Sequence, residues 1–122
     1  TTPQAVARAD AVRALAMLRE LDIPVLGFIE NMGVLVCPHC RADVPLFPDA
    51  AEDLSERFDV PLLGRIPFDP RIVSSGELGM PQVLAHADSP AAAMFREIAR
   101  GLIRNGAEPG HERQPANTME GS

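Results

Sequence analysis

The chain has 122 residues, enough for one small domain, and a formal net charge of -6. Its 11 basic residues are all arginine and it contains neither Trp nor Tyr, which argues against a nucleic-acid partner. No apolar run of about 18 residues and no secretion leader are visible, so the composition predicts a cytoplasmic protein that does not enter a membrane. A phosphate-binding loop requires a lysine, and the sequence has none.

The first predicted element is a helix from about residue 3 to residue 21. Thr2 and Pro3 have the residue types of a helix cap and a first helical position. Apolar residues then recur at helical spacing, at Ala7, Ala11, Ala14, Leu18 and Leu21. We expect this stripe to pack against a core while the charged side chains of the helix face water.

Two short apolar runs, residues 25–29 and 60–66, predict buried strands. Continuously apolar strands are typical of parallel sheets whose two faces are both covered by helices. A helix that leads into such a strand is half of an α/β unit. Two strands do not make a stable sheet of this kind, so we expect the missing strands to precede Thr1, which is not a Met start.

The two cysteines lie together as Cys37-Pro38-His39-Cys40, within residues 33–47, which predict a short irregular hairpin or knuckle. Two thiols at this spacing can form half of a metal site or a redox disulfide. Two thiolates do not complete the four-ligand sites that structural zinc and iron-sulfur clusters prefer. Either the other ligands come from elsewhere, or the site is a redox site.

The same four letters occur in oxidising thiol-disulfide oxidoreductases, where the first cysteine begins a helix that lowers its pKa. Pro45 and Pro48 make a long helix after Cys40 unfavourable here. The sequence context therefore disfavours the redox interpretation.

The remainder predicts two helices and a tail. Asp49 and Glu52 form a capping-box pattern, and Ser89-Pro90 begins the last helix. The predicted core stripe of that last helix is Phe95, Ile98, Ala99 and Leu102, with Asn105-Gly106 at its end. The domain is predicted to cover residues 1–104, and the polar, aperiodic residues 105–122 to form a disordered tail.

Several motifs in a fixed order resemble the Mrp family of iron-sulfur carrier P-loop ATPases, which are related to MinD and ParA. They are Thr1-Thr2-Pro3-Gln4, Ile23-Pro24-Val25-Leu26-Gly27-Phe28-Ile29-Glu30-Asn31-Met32, Cys37-x-x-Cys40 and Leu63-Gly64-Arg65-Ile66-Pro67-Phe68-Asp69-Pro70. The resemblance implies an α/β fold: the C-terminal half of a doubly wound, mostly parallel P-loop NTPase sheet with helices on both faces, plus the cysteine knuckle. The phosphate loop and switch segments of the family are absent from these residues.

The resemblance also implies a function. In the family, Cys37 and Cys40 would hold a 4Fe-4S cluster together with the same pair of a second copy, in a homodimer that delivers clusters to apo iron-sulfur proteins and works with cluster-assembly scaffolds. The full-length protein would bind ATP with Mg, and Asn31, Pro67 and Asp69 would lie on the adenine side. The resemblance is to a family of ATPases, but this chain lacks the phosphate-loop lysine, so we expect it to be inactive on its own, and no catalytic residue is assigned.

The position of Asn31 makes it a candidate ligand-binding residue even without the resemblance. It follows a predicted buried strand, at the edge where open α/β sheets bind ligands, and its amide offers both a donor and an acceptor. A turn asparagine is the plainer interpretation of the same residue.

Two alternatives to a cluster carrier remain at this point. One is a dimerisation module bridged by zinc, with no role for a nucleotide. The other is a truncated fragment without a function of its own.

Overall fold

The computed structural model describes residues 1–47 and 50–106, with no description of the side chains at positions 50–53. The cap predicted at Asp49 and the tail predicted for residues 107–122 lie outside the described residues. The elements are α1 (Ala5–Glu20), β1 (Phe28–Asn31), β2 (Val34–Val36), β3 (Asp43–Pro45), α2 (Ala50–Phe58), β4 (Leu62–Ile66), α3 (Arg71–Glu77), α4 (Gln82–Ala85) and α5 (Pro90–Gly106). In this part of the chain, every helix is too short or too polar to cross a membrane.

Helix α1 begins at Ala5, later than predicted, because the first residues are held against strand β1. The amino group of Thr1 donates to the Ile29 carbonyl at 2.9 Å, and the Asn31 amide donates to the Thr1 carbonyl at 2.7 Å. Gln4 is extended and precedes the helix without a side-chain cap. The cap predicted at Thr2 is therefore wrong.

The prediction that an apolar stripe of α1 packs against the core is also only partly correct. No residue of α1 is buried: Ala7, Ala11 and Leu18 are half-buried, whereas Ala14 is exposed. Leu21, just after the helix, is 61% exposed. Helix α1 thus contributes less to the core than its periodicity predicts.

Strands β1 and β4 pair in parallel, as predicted, but β1 is shifted along the sequence. It begins at Phe28 rather than at residue 25 and continues through Glu30, a buried carboxylate, to Asn31. Glu30 lies opposite Arg65 in the register, and the Arg65 Nε is 3.4 Å from a Glu30 carboxylate oxygen. This ion pair lets a charged residue occupy a buried strand position just beyond the predicted apolar run of residues 25–29.

Helices cover both faces of this strand pair. Phe28 lines an apolar pocket together with residues of α1 and α2, whereas its neighbour Ile29 packs against the core beneath α5. The register is irregular between Phe28 and Ile29, so the different surroundings of these two residues, rather than strict alternation, indicate that the two groups of helices lie on opposite sides. The buried core on the α5 side is Ile66, Ala91 and Ile98.

Helix α5 starts where the sequence predicted. The Ser89 hydroxyl accepts a hydrogen bond from the Ala92 amide at 3.1 Å, which caps the helix. Ile98 approaches Gly64 of β4 so closely that a Cβ at position 64 would lie 2.7 Å from an Ile98 side-chain carbon. Ala99 was predicted to be in the core but is exposed, and Ala92 is buried instead.

Candidate metal centre and the cleft beside it

Strands β2 and β3 form the predicted hairpin, and the two cysteines lie in its turn. Val36 pairs with Asp43 in the antiparallel register. Beyond that pair, the Cys37 amide donates to the Ala42 carbonyl and the Arg41 amide donates to the Cys37 carbonyl, both at 2.9 Å. Arg41 closes the turn with a left-handed backbone, φ 62°. Cys37 and Cys40 therefore lie on one short loop.

The local backbone favours the thiolate form of Cys37. Hydrogen bonds from the amide of Cys40, from the amide of His39 and from the Cys40 side chain lower the pKa of the Cys37 thiol, against a smaller opposing effect of burial. Cys37 is half-buried, Cys40 is exposed, and neither forms a disulfide. Since the thiolate is the form that ligates metals, this donor set fits a soft metal ion or iron.

The pair has no further ligand beside it in the described part of the chain. Nowhere in residues 1–47 and 50–106 do three or more His, Cys, Asp or Glu side chains gather closely enough to hold a metal ion. His39 lies between the cysteines in sequence and is exposed.

A cleft of about 690 Å³ opens next to Cys37. One wall is the hairpin, including Cys37 and Arg41, and the opposite wall is formed by residues 67–71 and by the α4–α5 connection, including His86. The two walls are joined by a hydrogen bond from the Phe68 amide to the Val34 carbonyl, 2.7 Å long. The segment after β4 therefore lies directly against the hairpin that carries the cysteines.

The predicted adenine-side residues lie around the carboxyl ends of β1 and β4 but line different cavities. Asn31 pairs with Ile66 in the register, one residue before Pro67. The side-chain oxygen of Asn31 is buried and has no hydrogen-bond partner among the described residues, and Asn31 lines a cavity of about 530 Å³ with Thr1. Pro67 and Asp69 instead line the cleft beside the cysteines.

Asp69 is already engaged by its neighbours. One carboxylate oxygen accepts the backbone amide and the Nε of Arg71 at 3.0 and 2.9 Å, and the other accepts the Arg71 Nη2 at 2.8 Å and the Gln82 Nε2 at 3.3 Å. The hydrogen bonds from Arg71 hold the pKa of Asp69 below its usual value. The side chain thus orders the segment between β4 and α3, and its predicted place on the adenine side stays a prediction.

Gln82 was not predicted from the sequence. It is a buried residue whose side-chain amide donates a hydrogen bond to Asp69, 13 residues earlier in the chain. A single glutamine between Met80-Pro81 and Val83-Leu84 carries no periodic signal for a buried polar contact. The nearest signal is Gly79-Met80-Pro81, which indicates a turn before a new element.

Comparison with known proteins gives a consistent family. The family model of ParA-type NUBPL iron-transfer P-loop NTPases matches residues 1–103. An iron-sulfur cluster carrier protein from Pyrococcus furiosus is 40% identical over 104 residues, 84% of this chain and 35% of that protein. The iron-sulfur cluster transfer protein NUBPL from Dictyostelium discoideum is 32% identical over 105 residues, 85% of this chain and 32% of that protein.

The fold comparison agrees. The septum site-determining protein MinD from Pyrococcus horikoshii, solved as a complex with Mg-ADP, superposes with a TM-score of 0.66 at 28% identity, over 88% of this chain and 40% of MinD. The predicted fold class, part of a MinD-like P-loop ATPase, is confirmed. The chain spans about a third of the length of the curated relatives described above.

Proposed function

The chain belongs to the family of NUBPL iron-transfer P-loop NTPases, and we propose that it forms the cluster-binding part of an iron-sulfur cluster carrier. In this proposal, Cys37 and Cys40 hold a 4Fe-4S cluster as cargo between two copies of the chain. The cluster then passes to apo iron-sulfur proteins, and cluster-assembly scaffolds supply it. We propose that cluster binding and transfer take place in the cytoplasm, where thiols stay reduced or bound to metal.

The observation that carries the proposal is the turn around the cysteines. The Cys37 amide donates to the Ala42 carbonyl and the Arg41 amide to the Cys37 carbonyl, both at 2.9 Å, and in this turn the amides of Cys40 and His39 lower the pKa of the Cys37 thiol. Amides that point at a thiolate stabilise its negative charge before any metal arrives. A turn that is already arranged in this way binds iron without the free-energy cost of reorganising its backbone.

Two copies of the chain would complete the ligand set. One copy supplies two thiolates, and a 4Fe-4S cluster takes four. A two-fold axis through the cluster would place the same two cysteines of each copy face to face. The exposed Cys40 is compatible with this arrangement, since its side of the turn is open to a second copy.

For the nucleotide, we propose that the full-length protein binds ATP with Mg, as the Mg-ADP complex of the MinD relative supports. Asn31 fits an adenine contact because its buried side-chain oxygen lacks a hydrogen-bond partner within the described residues and the adenine amino group is a donor. Pro67 and Asp69 follow the neighbouring strand but line the cleft beside Cys37, so their proposed place on the adenine side rests on the family resemblance alone. The phosphate-binding lysine would have to come from outside this sequence.

The direct test is anaerobic reconstitution of the chain with iron and sulfide, followed by metal and sulfide analysis. We expect about two irons and two sulfides per chain, and loss of both in Cys37→Ser, because one four-iron cluster would be shared by two chains. The matched control is His39→Ala, which keeps both thiols and the amide that donates to Cys37. Zinc at about half an ion per chain, without sulfide, would support the zinc-bridged alternative instead.

A further inference from the structure

A buried polar residue near the cleft, Gln82, has been assigned no role in binding metal or nucleotide. Gln82, 6% exposed, lies at the start of α4. Its side-chain oxygen accepts the Ser75 hydroxyl at 3.1 Å, and its Nε2 donates to the Ser89 hydroxyl and to Asp69, both at 3.3 Å. Because Ser75 and Ser89 are buried as well, water does not easily replace these bonds.

This network ties the segment after β4 to two helices. Ser75 belongs to α3, and Ser89 caps α5 through its bond with the Ala92 amide. Asp69 therefore accepts hydrogen bonds from two separate groups: Arg71, two residues later in the sequence, and Gln82, 13 residues later.

The segment that Gln82 holds is the wall of the cleft that faces Cys37. Phe68, next to Asp69, donates its amide to the Val34 carbonyl. Val34 begins β2, and Cys37 follows three residues later. A displacement of Asp69 would thus strain or break the contact between this wall and the hairpin.

We propose that Gln82 is a positioning residue that keeps residues 67–70 against the hairpin and so limits access to iron bound at Cys37. This inference rests on the proposed cluster-carrying function. When the cluster is handed over, a thiol of the recipient would replace Cys37 on iron: the recipient sulfur bonds to iron, the bond from iron to the Cys37 sulfur breaks, and the proton of the incoming thiol ends on the Cys37 sulfur. The oxidation states of iron and sulfur do not change in this exchange.

The first test compares Gln82→Leu with the unmodified chain. Leucine has a similar size but removes all three hydrogen bonds. We expect the same iron and sulfide content after reconstitution, and release of iron to a ferrous chelator that is about tenfold faster, given the cost of leaving buried partners unsatisfied. In the cluster-free chain, hydrogen exchange at the Phe68 amide should rise by about the same factor.

Gln82→Glu separates positioning from general destabilisation. A carboxylate at this place faces Asp69, and the other charged groups near Asp69 are Arg71 and His86. At neutral pH the two carboxylates repel each other and release should be fast. At mildly acidic pH a shared proton restores the contact and release should return to that of the unmodified chain.

The control is Leu54→Ala, which removes a buried side chain of α2 that does not line the cleft. Release should stay unchanged in this variant. Unchanged iron release and unchanged Phe68 exchange in Gln82→Leu would overturn the inference, as would equal acceleration in Leu54→Ala. If the unmodified chain takes up no cluster, the proposed function fails, and the Phe68 exchange alone decides whether Gln82 positions the wall.

Discussion

The two sides of the parallel strand pair differ in how completely they bury their apolar residues. On the α5 side, Ala91 and Ala92 are 0% exposed and Ile98 is 6% exposed. On the other side, no residue of α1 is buried, Val6 and Met17 are 76% and 54% exposed, and the buried apolar residues are Leu54 of α2 and Val60. Apolar burial is the main favourable term in folding, so the described core draws most of its stability from the α5 side.

The two predicted sites divide along the same line. The cleft beside Cys37 is bounded by the segment after β4 and by the start of α5, on the well-packed side. The cavity of Asn31 is lined by α1, including Asp10 and Ala11, on the less buried side. Sites are held most accurately by packed elements, so we expect the cleft wall formed by residues 67–71 to be better ordered than the cavity of Asn31.

The largest effect is expected from Ile98→Ala on the packed side. The change leaves a cavity beside Gly64 and Ile66, and buried isoleucines cost about 2–5 kcal/mol when truncated to alanine. Urea unfolding should therefore show a large fall in the free energy of unfolding. A loss below about 1 kcal/mol would mean that the α5 side does not carry the core.

A smaller effect is expected from Asp69→Asn. The variant loses the charge-assisted bonds from Arg71, which should cost about 1–2 kcal/mol at neutral pH. The folded-state pKa of Asp69 is lowered, so its stabilisation is full above the unfolded value of about 4 and disappears as the pH falls through the lower folded value. The difference from the unmodified chain should thus shrink below about pH 4.

The matched control for that experiment is Asp10→Asn on α1. Asp10 pairs with Arg13 at 2.8 Å, but both side chains are well exposed. Exposed pairs of this kind contribute about 0–1 kcal/mol. Thermal melts from pH 3 to pH 7 should separate the two variants, and equal losses at pH 7 would contradict the contrast between the two sides.

The smallest effect is expected from Met17→Ala on α1. Met17 is 54% exposed, and substitutions at such positions usually change the free energy of unfolding by less than about 0.5 kcal/mol. Chemical unfolding should show no clear shift of the midpoint. A loss comparable to that of Ile98→Ala would show that α1 packs more tightly than described.

Much of the architecture was predictable because its signals are local. The Cys37–Cys40 turn was predicted from adjacent residues, and the start of α5 from Ser89-Pro90. The start of α1 was not, because it depends on hydrogen bonds between Thr1 and β1, about 28 residues away. The presence of Glu30 in a strand was not predictable for a similar reason, because it depends on an ion pair with Arg65, which is distant in the sequence.

The site was predictable to a similar extent. The cysteine spacing predicted the turn that brings Cys37 and Cys40 onto one loop, and their metal role stays a prediction, whereas the separation of Asn31 from Asp69 into two cavities depends on three-dimensional packing. The bond between Asp69 and Gln82 joins residues 13 apart without a repeating pattern. Only the folded chain brings these groups together.

The central claim, a cluster shared by two copies, is tested most directly by native mass spectrometry of the anaerobically reconstituted chain. The account predicts a species of two chains with one 4Fe-4S cluster, which disappears in Cys37→Ser. A cluster carried by a single chain, or a pair of chains joined by zinc without sulfide, would contradict it.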